Sequence, residues 1–229
     1  YQDQIEYKKK LFEKIDQIIC ISSNTKKDLQ QEYSIDASKI SVVHLAVNKD
    51  KNVRERSLNI RPFILYVGLR QRYKNFINAI KAYARSNKLK LNFDFVCFGG
   101  GNFSKTEEEL FRSLSLDRSR IHYFEGDQLD LNYFYQKARI FIFPSLYEGF
   151  GMPLIEAISR GCKVICSDIA VFREIGGEIP IYFNPNSSSN ELMSIIEDQL
   201  DISSDSKDKL EYLKAFKWEN ITEKFYLHI

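Results

Sequence analysis

Residues 139–168, RIFIFPSLYEGFGMPLIEAISRGCKVICSD, decide the fold of this chain. The apolar runs RIFIFPS (139–145) and KVICSD (163–168) are typical of strands that are covered on both faces of a sheet. Between them, MPLIEAISR (152–160) has a helical pattern, with Pro153 near the first helical position, where proline is tolerated. A strand, a helix and a second strand in this order predict one unit of a parallel sheet.

The same alternation extends to both sides of this unit. Helical patterns follow several of the other apolar runs, and Ser104 to Glu107 form a capping-box signature that opens one such helix. We therefore predict an α/β fold, a Rossmann-like doubly wound parallel sheet with a ligand crevice beyond the carboxyl ends of its strands. The further strand-like runs are FILYVG (63–68), FDFVCFGGG (93–101), IHYFEG (121–126) and IPIYFNP (179–185).

The beginning of the chain forms a smaller predicted unit. Strand-like runs at 15–23 and 39–47 flank a short helix, and this single βαβ piece is too small to bury a core by itself. We interpret residues 1–48 as the terminal piece of a preceding domain and the polar residues 49–62 as a linker. Residues 63–229 are then the Rossmann-like domain with its C-terminal helices.

The composition of the chain is that of an ordinary globular protein, with 229 residues of which 44% are hydrophobic and 28% charged. The formal charge of +2 gives no support to nucleic-acid binding. Four cysteines do not make a disulfide framework, which predicts a reduced, cytoplasmic setting. No apolar run approaches the roughly 20 residues that span a bilayer. The chain begins at Tyr1 rather than methionine, which predicts a piece of a longer protein and leaves open peripheral contact of that protein with the inner face of the membrane.

The glycine loop between the strand and the helix has the chemistry of a ligand site. Free N–H groups at a helix N-terminus favour phosphate oxygens, and Gly149 and Gly151 allow the backbone to approach a ligand closely. The ionised carboxylates of Glu148 and Glu156 can each accept two sugar hydroxyls. Two diols that flank a diphosphate describe a nucleotide sugar. Taken alone, the loop is equally compatible with a capping Glu148 and a solvated Glu156.

A basic loop after another predicted strand supports this interpretation. In YVGLRQRYKN (66–75), Arg70, Arg72 and Lys74 follow Gly68, where their positive charge can reach a diphosphate across the crevice and stabilise a departing nucleotide. Without the glycine loop, a solvated basic loop would be the simpler explanation. The glycines at 99–101 lack the spacing of a dehydrogenase fingerprint and predict a tight turn at the edge of the crevice.

Four ordered segments carry a resemblance to a known family. PSLYEGFGMPLIEA (144–157) has two glutamates with seven residues between them, and YVGLRQRYKN (66–75) has a strand, a glycine and a basic loop. REIGG (173–177) and WENI (218–221) follow in the expected order. Together they resemble the retaining, nucleotide-sugar-dependent glycosyltransferases of family 4, whose GT-B fold has two Rossmann-like domains.

The resemblance implies a role for each matching residue. Glu148 would be the catalytic residue that contacts the donor hexose, and Glu156 would hold the ribose diol. The remaining donor-binding residues implied in this way are Gly149, Phe150, Gly151 and Met152, which begin the helix and present backbone N–H groups, and Gly126, Asp127 and Leu129, which lie where the family has its base-contacting loop.

The arginine of the diphosphate site is less directly assigned. The resemblance implies that Lys74 and an arginine bind the diphosphate beside Gly68. Many family members place this arginine directly after the glycine, where the present chain has Leu69. We therefore assign Arg70 to this role as the first choice and Arg72 as the second.

The resemblance also implies a function. The chain would be the donor-binding C-terminal part of a transferase that moves a hexose from a nucleotide sugar, with UDP-glucose preferred by family frequency. We expect the donor to bind without a metal ion, because Lys74 and Arg70 supply positive charge and the sequence places no Asp-x-Asp motif in the crevice. The acceptor, a saccharide or a lipid-linked saccharide in polysaccharide or glycoconjugate synthesis, would bind mainly to a missing N-terminal domain. A non-catalytic nucleotide-sugar-binding or scaffold module is the alternative. His44 and His122 lie in strand-like runs and are interpreted as structural, and His228 offers no convincing base.

Overall fold

The computed structural model describes residues 2–48, 52–202 and 212–226, which contain two parallel sheets. The strands are β1 Ile18–Cys20, β2 Ile40–Val42, β3 Phe63–Val67, β4 Asp94–Phe98, β5 Ile121–Phe124, β6 Ile140–Phe143, β7 Val164–Ser167 and β8 Ile181–Phe183. The helices are α1 Gln2–Glu13, α2 Ser23–Tyr33, α3 Phe76–Arg85, α4 Asn87–Asn92, α5 Lys105–Ser113, α6 Gln128–Lys137, α7 Met152–Ser159, α8 Ala170–Gly176, α9 Ser189–Leu200 and, closing the described chain, α10 Trp218–Tyr226.

The larger sheet confirms the predicted doubly wound α/β fold. Its six strands lie in the order β5-β4-β3-β6-β7-β8 and all pair in parallel. The chain enters the sheet at its centre with β3, builds outward to β5, and then returns to the other side of β3 with β6. In sheets of this kind a ligand binds where the strand order reverses, which here is between β3 and β6.

The pairing of the two central strands opens the crevice. The register of β3 and β6 joins Ile64 to Ile140 and Leu65 to Phe141, and it stops two residues before either strand ends. The loops that follow Val67 and Phe143 therefore start from strand ends that are not paired with each other. The two loops that the sequence marks as functional begin on either side of this gap.

The core lies on both faces of the larger sheet, which explains the continuous apolar runs. Ile64 and Tyr66 of β3 face a cluster with α3, α5 and α9, whereas Leu65 and Val67 face a cluster with α6, α7 and α8. Every residue of β3 is buried. A strand that is covered on both faces cannot alternate apolar with polar residues, because both sets of side chains are removed from water.

The smaller sheet consists of β1 and β2, with α2 between them in the chain. These strands pair over only three residues, from Ile18 with Ile40 to Cys20 with Val42. The observed strands are therefore shorter than the predicted runs at 15–23 and 39–47, because pairing ends there while the apolar residues continue into packing. Helix α10 returns to this sheet, where its Ile221 packs in a cluster with residues that follow β2.

Residues 52–62 connect the two sheets without a helix or a strand. Arg54 and Arg56 of this segment both pair with the buried carboxylate of Asp130 on α6, with N–O distances of 2.5 and 2.7 Å. The segment is therefore fixed to the surface of the larger sheet's domain, although its sequence is typical of a linker.

Candidate functional site

The loops that follow β3 and β6 meet at the predicted crevice. Lys74 Nζ lies 2.6 Å from Glu148 Oε1, and the side chains of Lys74 and Glu148 are only 16% and 13% exposed. The backbone also joins the loops, because the N–H of Leu146 donates to the carbonyl of Tyr73 at 2.7 Å. The structure thus brings together a cation and a carboxylate that are 74 positions apart in the sequence.

The glycine loop ends at the N-terminus of α7 with unused donors. Gly151 is the N-cap residue with φ +100°, and a Cβ atom there would lie 2.9 Å from a ring carbon of Phe172, so only glycine fits. Within the described part of the chain, the N–H groups of Gly149, Phe150 and Gly151 donate to no acceptor. The Phe150 ring is buried against His44 and Phe216, so only the backbone of Phe150 can contact a ligand.

Glu148 and Glu156 do not behave as the simpler alternative requires. The N-cap of α7 has no side-chain hydrogen bond, so Glu148 does not cap this helix. Glu156 is partly buried, and its Oε2 accepts a hydrogen bond from the buried Tyr135 hydroxyl at 3.2 Å. Burial raises the pKa of the Glu156 carboxyl, and the Tyr135 hydrogen bond and the charge of Arg160 oppose this shift.

The structure places Arg70 differently from the role first assigned to it. Its side chain is 4% exposed, its Nε pairs with Glu107, and its terminal nitrogens donate to the carbonyls of Gly99 at 3.1 Å and Gly101 at 2.7 Å. The guanidinium therefore closes the glycine turn after β4. Arg72 is exposed and has no ion-pair partner among the described residues.

The turn at Gly99, Gly100 and Gly101 is as tight as the sequence predicts. All three residues have positive φ, at +76°, +80° and +79°. A Cβ atom on Gly100 would lie 2.5 Å from the carbonyl oxygen of Gly68, so the two turns are in direct contact. This packing keeps the end of β4 close to the end of β3.

The predicted base-contacting loop lies after the edge strand β5. Asp127 caps α6 and accepts the N–H groups of Leu129 at 3.0 Å and Asp130 at 3.2 Å. A Cβ atom on Gly126 would meet the Asp130 carboxylate at 2.2 Å, which explains the glycine. Three strand spacings, or about 14 Å, separate this loop from the loop after β6. A ligand that reaches both loops must be extended.

The histidines have structural partners where they are described. His122 Nε2 lies 2.8 Å from the buried Asp94, and His44 Nε2 lies 2.8 Å from Glu174. His228 lies outside the described residues. Among the residues that the structure describes, no group of His, Cys, Asp and Glu side chains could hold a metal ion, and no helix is long and apolar enough to cross a bilayer.

Sequence reasoning missed the contacts that the smaller sheet makes with the glycine loop. The hydroxyls of Ser22 and Thr25 donate to the carbonyl of Gly149 at 2.7 and 3.1 Å, and the Tyr147 hydroxyl donates to Asp28 at 2.8 Å. The only available signal was the run SSNT (22–25), which indicates a helix N-cap but not its distant partner.

Comparisons with known proteins find related sequences and related folds. A model of the family described as glycosyl transferases group 1 matches residues 48–211. The chain is 30% identical over 176 residues to the O-antigen chain mannosyltransferase RfbU of Salmonella typhimurium, a match that covers 76% of this chain and 48% of that protein. It is 30% identical over 198 residues to a Campylobacter jejuni protein, covering 82% of this chain and 53% of the other. That protein is N-acetylgalactosamine-N,N'-diacetylbacillosaminyl-diphospho-undecaprenol 4-alpha-N-acetylgalactosaminyltransferase.

Among solved structures, HepE of Anabaena, in complex with UDP and glucose, has a TM-score of 0.84 to this chain. The sequences are 16% identical, and the match covers 99% of this chain and 66% of that one. At this identity the likeness concerns the fold, which is of the GT-B type. The chain spans about half the length of the two curated relatives, with 48% and 53% of them covered.

Proposed function

The chain belongs to the group 1 glycosyl transferases, and from that premise we propose that it forms the donor site of a retaining enzyme that transfers a hexose from a nucleotide sugar. The observation that carries the proposal is the meeting of Lys74 and Glu148 at the strand-order reversal between β3 and β6, 2.6 Å apart. The positive charge of Lys74 suits a diphosphate, and the carboxylate of Glu148 suits the hydroxyls of a sugar.

The arrangement of the crevice supports an extended donor. The free N–H groups of the glycine loop and the N-terminus of α7 favour the diphosphate, with Lys74 and the exposed Arg72 supplying positive charge. The ribose diol would bind to Glu156, and the base would lie toward Gly126 at the end of β5. About 14 Å, or three strand spacings, separates the loop after β5 from the loop after β6, so the base and the hexose of one nucleotide sugar can contact different loops.

The same residues account for the transfer chemistry. When the bond between the hexose and the diphosphate breaks, negative charge develops on the departing nucleotide, and Lys74 and Arg72 stabilise it. Positive charge develops on the hexose, where the Glu148 carboxylate both orients the sugar and opposes that charge. Cations supplied by side chains perform the task that a metal ion would otherwise perform, so we propose a metal-independent reaction.

Two donors are considered for the hexose. UDP-glucose is the preferred donor on the family resemblance. A mannosyl or N-acetylgalactosaminyl nucleotide is the second candidate, since the relatives named above transfer these sugars. The acceptor is proposed to be a saccharide or a lipid-linked saccharide in glycoconjugate synthesis, bound mainly by residues beyond this chain. A non-catalytic nucleotide-sugar-binding module is the alternative, and the intact Lys74 and Glu148 pair argues against it.

Calorimetry with the 229-residue chain tests the proposal. UDP, UDP-glucose, UDP-N-acetylgalactosamine and GDP-mannose are titrated in buffer that contains EDTA, and again with Mg²⁺ or Mn²⁺. We expect at least one nucleotide sugar to bind in the presence of EDTA. Binding that appears only with the metal ions would refute metal independence, and no binding under either condition would refute the donor site.

A further inference from the structure

The first turn of α2 contacts the glycine loop through two hydroxyls on one carbonyl. Ser22 is fully buried, and its Oγ accepts the N–H of Thr25 at 3.0 Å as the N-cap of α2. The hydroxyl oxygens of Ser22 and Thr25 lie 2.7 and 3.1 Å from the Gly149 carbonyl oxygen, to which both can donate, and 3.0 Å from each other. A carbonyl oxygen has two lone pairs, so these two bonds use its full capacity.

This contact fixes the direction of a donor that faces the other way. The chain has no cis peptide bond among its described residues, so the Phe150 N–H points opposite to the Gly149 carbonyl. With the carbonyl directed at α2, the N–H is directed away from α2, and no described acceptor receives it. It is one of the loop donors that precede α7.

The loop needs such an external hold because its own residues do not supply one. Glycine accepts almost any backbone conformation, and Gly149 and Gly151 lie on either side of Phe150. The peptide between residues 149 and 150 is therefore free to rotate unless something restrains it. The buried Phe150 ring anchors one side, and the two hydroxyls anchor the carbonyl.

The first turn of α2 is itself held rigidly. The Glu174 carboxylate of α8 accepts the N–H of Ser23 at 2.7 Å and lies 2.8 Å from His44 Nε2. Three groups, from α2, from α8 and from the segment after β2, thus converge, and the hydroxyls of Ser22 and Thr25 are presented to the loop in one orientation. A movement of α2 relative to α8 would break these bonds and release the peptide.

We propose that Ser22 and Thr25 are positioning residues of the donor site, which hold the Gly149–Phe150 peptide with its N–H facing the crevice. The proposal rests on the proposed function, because the N–H serves a purpose only if a nucleotide sugar binds there. Its consequence is that the donor loop is shaped by the unit that carries β1 and β2, rather than by the larger sheet alone.

The decisive variant is Thr25→Val, which removes one hydroxyl and keeps the branched shape. We expect it to bind UDP-glucose, or whichever of UDP-N-acetylgalactosamine and GDP-mannose binds the unmodified chain, about three- to tenfold more weakly, since one hydrogen bond is lost. Thr25→Ser retains the hydroxyl and should restore the affinity. Thr106→Val, at an exposed position of α5, makes the same chemical change outside the proposed donor site and should have no effect.

A second pair of variants covers the case in which Thr25→Val does not fold. Ser22→Ala removes a hydroxyl and also the N-cap of α2, whereas Ser188→Ala removes only the N-cap of α9. Both should lower the Tm, but only Ser22→Ala should weaken donor binding. Affinity equal to that of the unmodified chain in both Thr25→Val and Ser22→Ala would overturn the proposal.

The amide signal of Phe150 separates this proposal from the proposed function. In a ¹⁵N–¹H spectrum of the free chain it should shift in Thr25→Val and return in Thr25→Ser. If the unmodified chain binds no nucleotide sugar, the proposed function fails, yet this signal still reports on the hydrogen bonds. An unmoved Phe150 signal in Thr25→Val would refute the hold on the peptide.

Discussion

Replacing Glu148 by glutamine should weaken the binding of UDP-hexose without weakening the binding of UDP. The amide keeps the size of the side chain but removes its charge, so a charge-assisted hydrogen bond to a hexose hydroxyl, worth about 1.5–3 kcal/mol, becomes a neutral one worth about 0.5–1.5 kcal/mol. The difference of about 1–1.5 kcal/mol predicts UDP-hexose binding roughly five- to twelvefold weaker relative to the binding of UDP. The carboxylate is only 13% exposed, so water screens little of this change.

The affinity for UDP alone should not fall in the same variant. In the free chain Glu148 neutralises Lys74 at 2.6 Å. Glutamine leaves the ammonium without its counter-charge, and the diphosphate of UDP then gains a stronger partner. UDP binding in Glu148→Gln should therefore be unchanged or tighter, while UDP-hexose binding weakens.

Calorimetry with both ligands on the same preparations measures this difference. Glu178→Gln is the matched control, because its side chain is 96% exposed and the substitution is chemically identical. Equal losses for UDP and UDP-hexose in Glu148→Gln would refute the reasoning, since the carboxylate would then only shape the loop.

Two further outcomes follow from the same site. Lys74→Ala should cost about 1.5–3 kcal/mol of affinity for UDP, roughly tenfold or more, because a charge-assisted contact to the diphosphate is lost. An unchanged affinity for UDP, measured by calorimetry, would show that Lys74 is not part of the site. Burial raises the pKa of Glu156 in the folded chain, so folding favours the protonated carboxyl. The protonated form therefore stabilises the folded chain below the ordinary pKa of about 4.3, and this stabilisation is lost as the pH rises through the raised pKa. If the ionised form holds the ribose, UDP affinity should rise over the same interval, and Glu156→Gln should flatten both the calorimetric and the thermal-unfolding pH profiles.

The sheet was predictable because its signal is local. Each strand of the larger sheet is a short apolar run bounded by turn residues, and burial on both faces is visible in Phe63–Val67 without knowledge of its neighbours. The capping box that opens α5 at Ser104 is equally local and is present in the structure. That the loops after β3 and β6 line one crevice followed from one rule, that the ligand site of such a sheet lies beyond the carboxyl ends of its strands where the strand order reverses. The ion pair of Lys74 with Glu148 in that crevice was not predicted.

The parts that sequence did not predict depend on contacts between distant positions. Nothing near Arg70 indicates that Glu107 and the carbonyls of the glycine turn occupy its donors. Tyr135 belongs to an apolar helix pattern, and its bond to Glu156 appears only when α6 and α7 pack together. In each case a side chain has several chemically acceptable roles, and tertiary packing selects one.

The described chain passes from the smaller sheet toward the larger one near Val47 and returns near Phe216, and the N–H of Val47 donates to the carbonyl of Phe216 at 3.0 Å. Two backbone crossings that lie side by side and are hydrogen-bonded to each other are placed like the two strands of a hinge between the sheets. In a hinge, a few backbone residues of this kind change φ and ψ when the two packed units move apart. Substitutions that stiffen either crossing should therefore slow any widening of the gap between α2 and the glycine loop without touching the crevice.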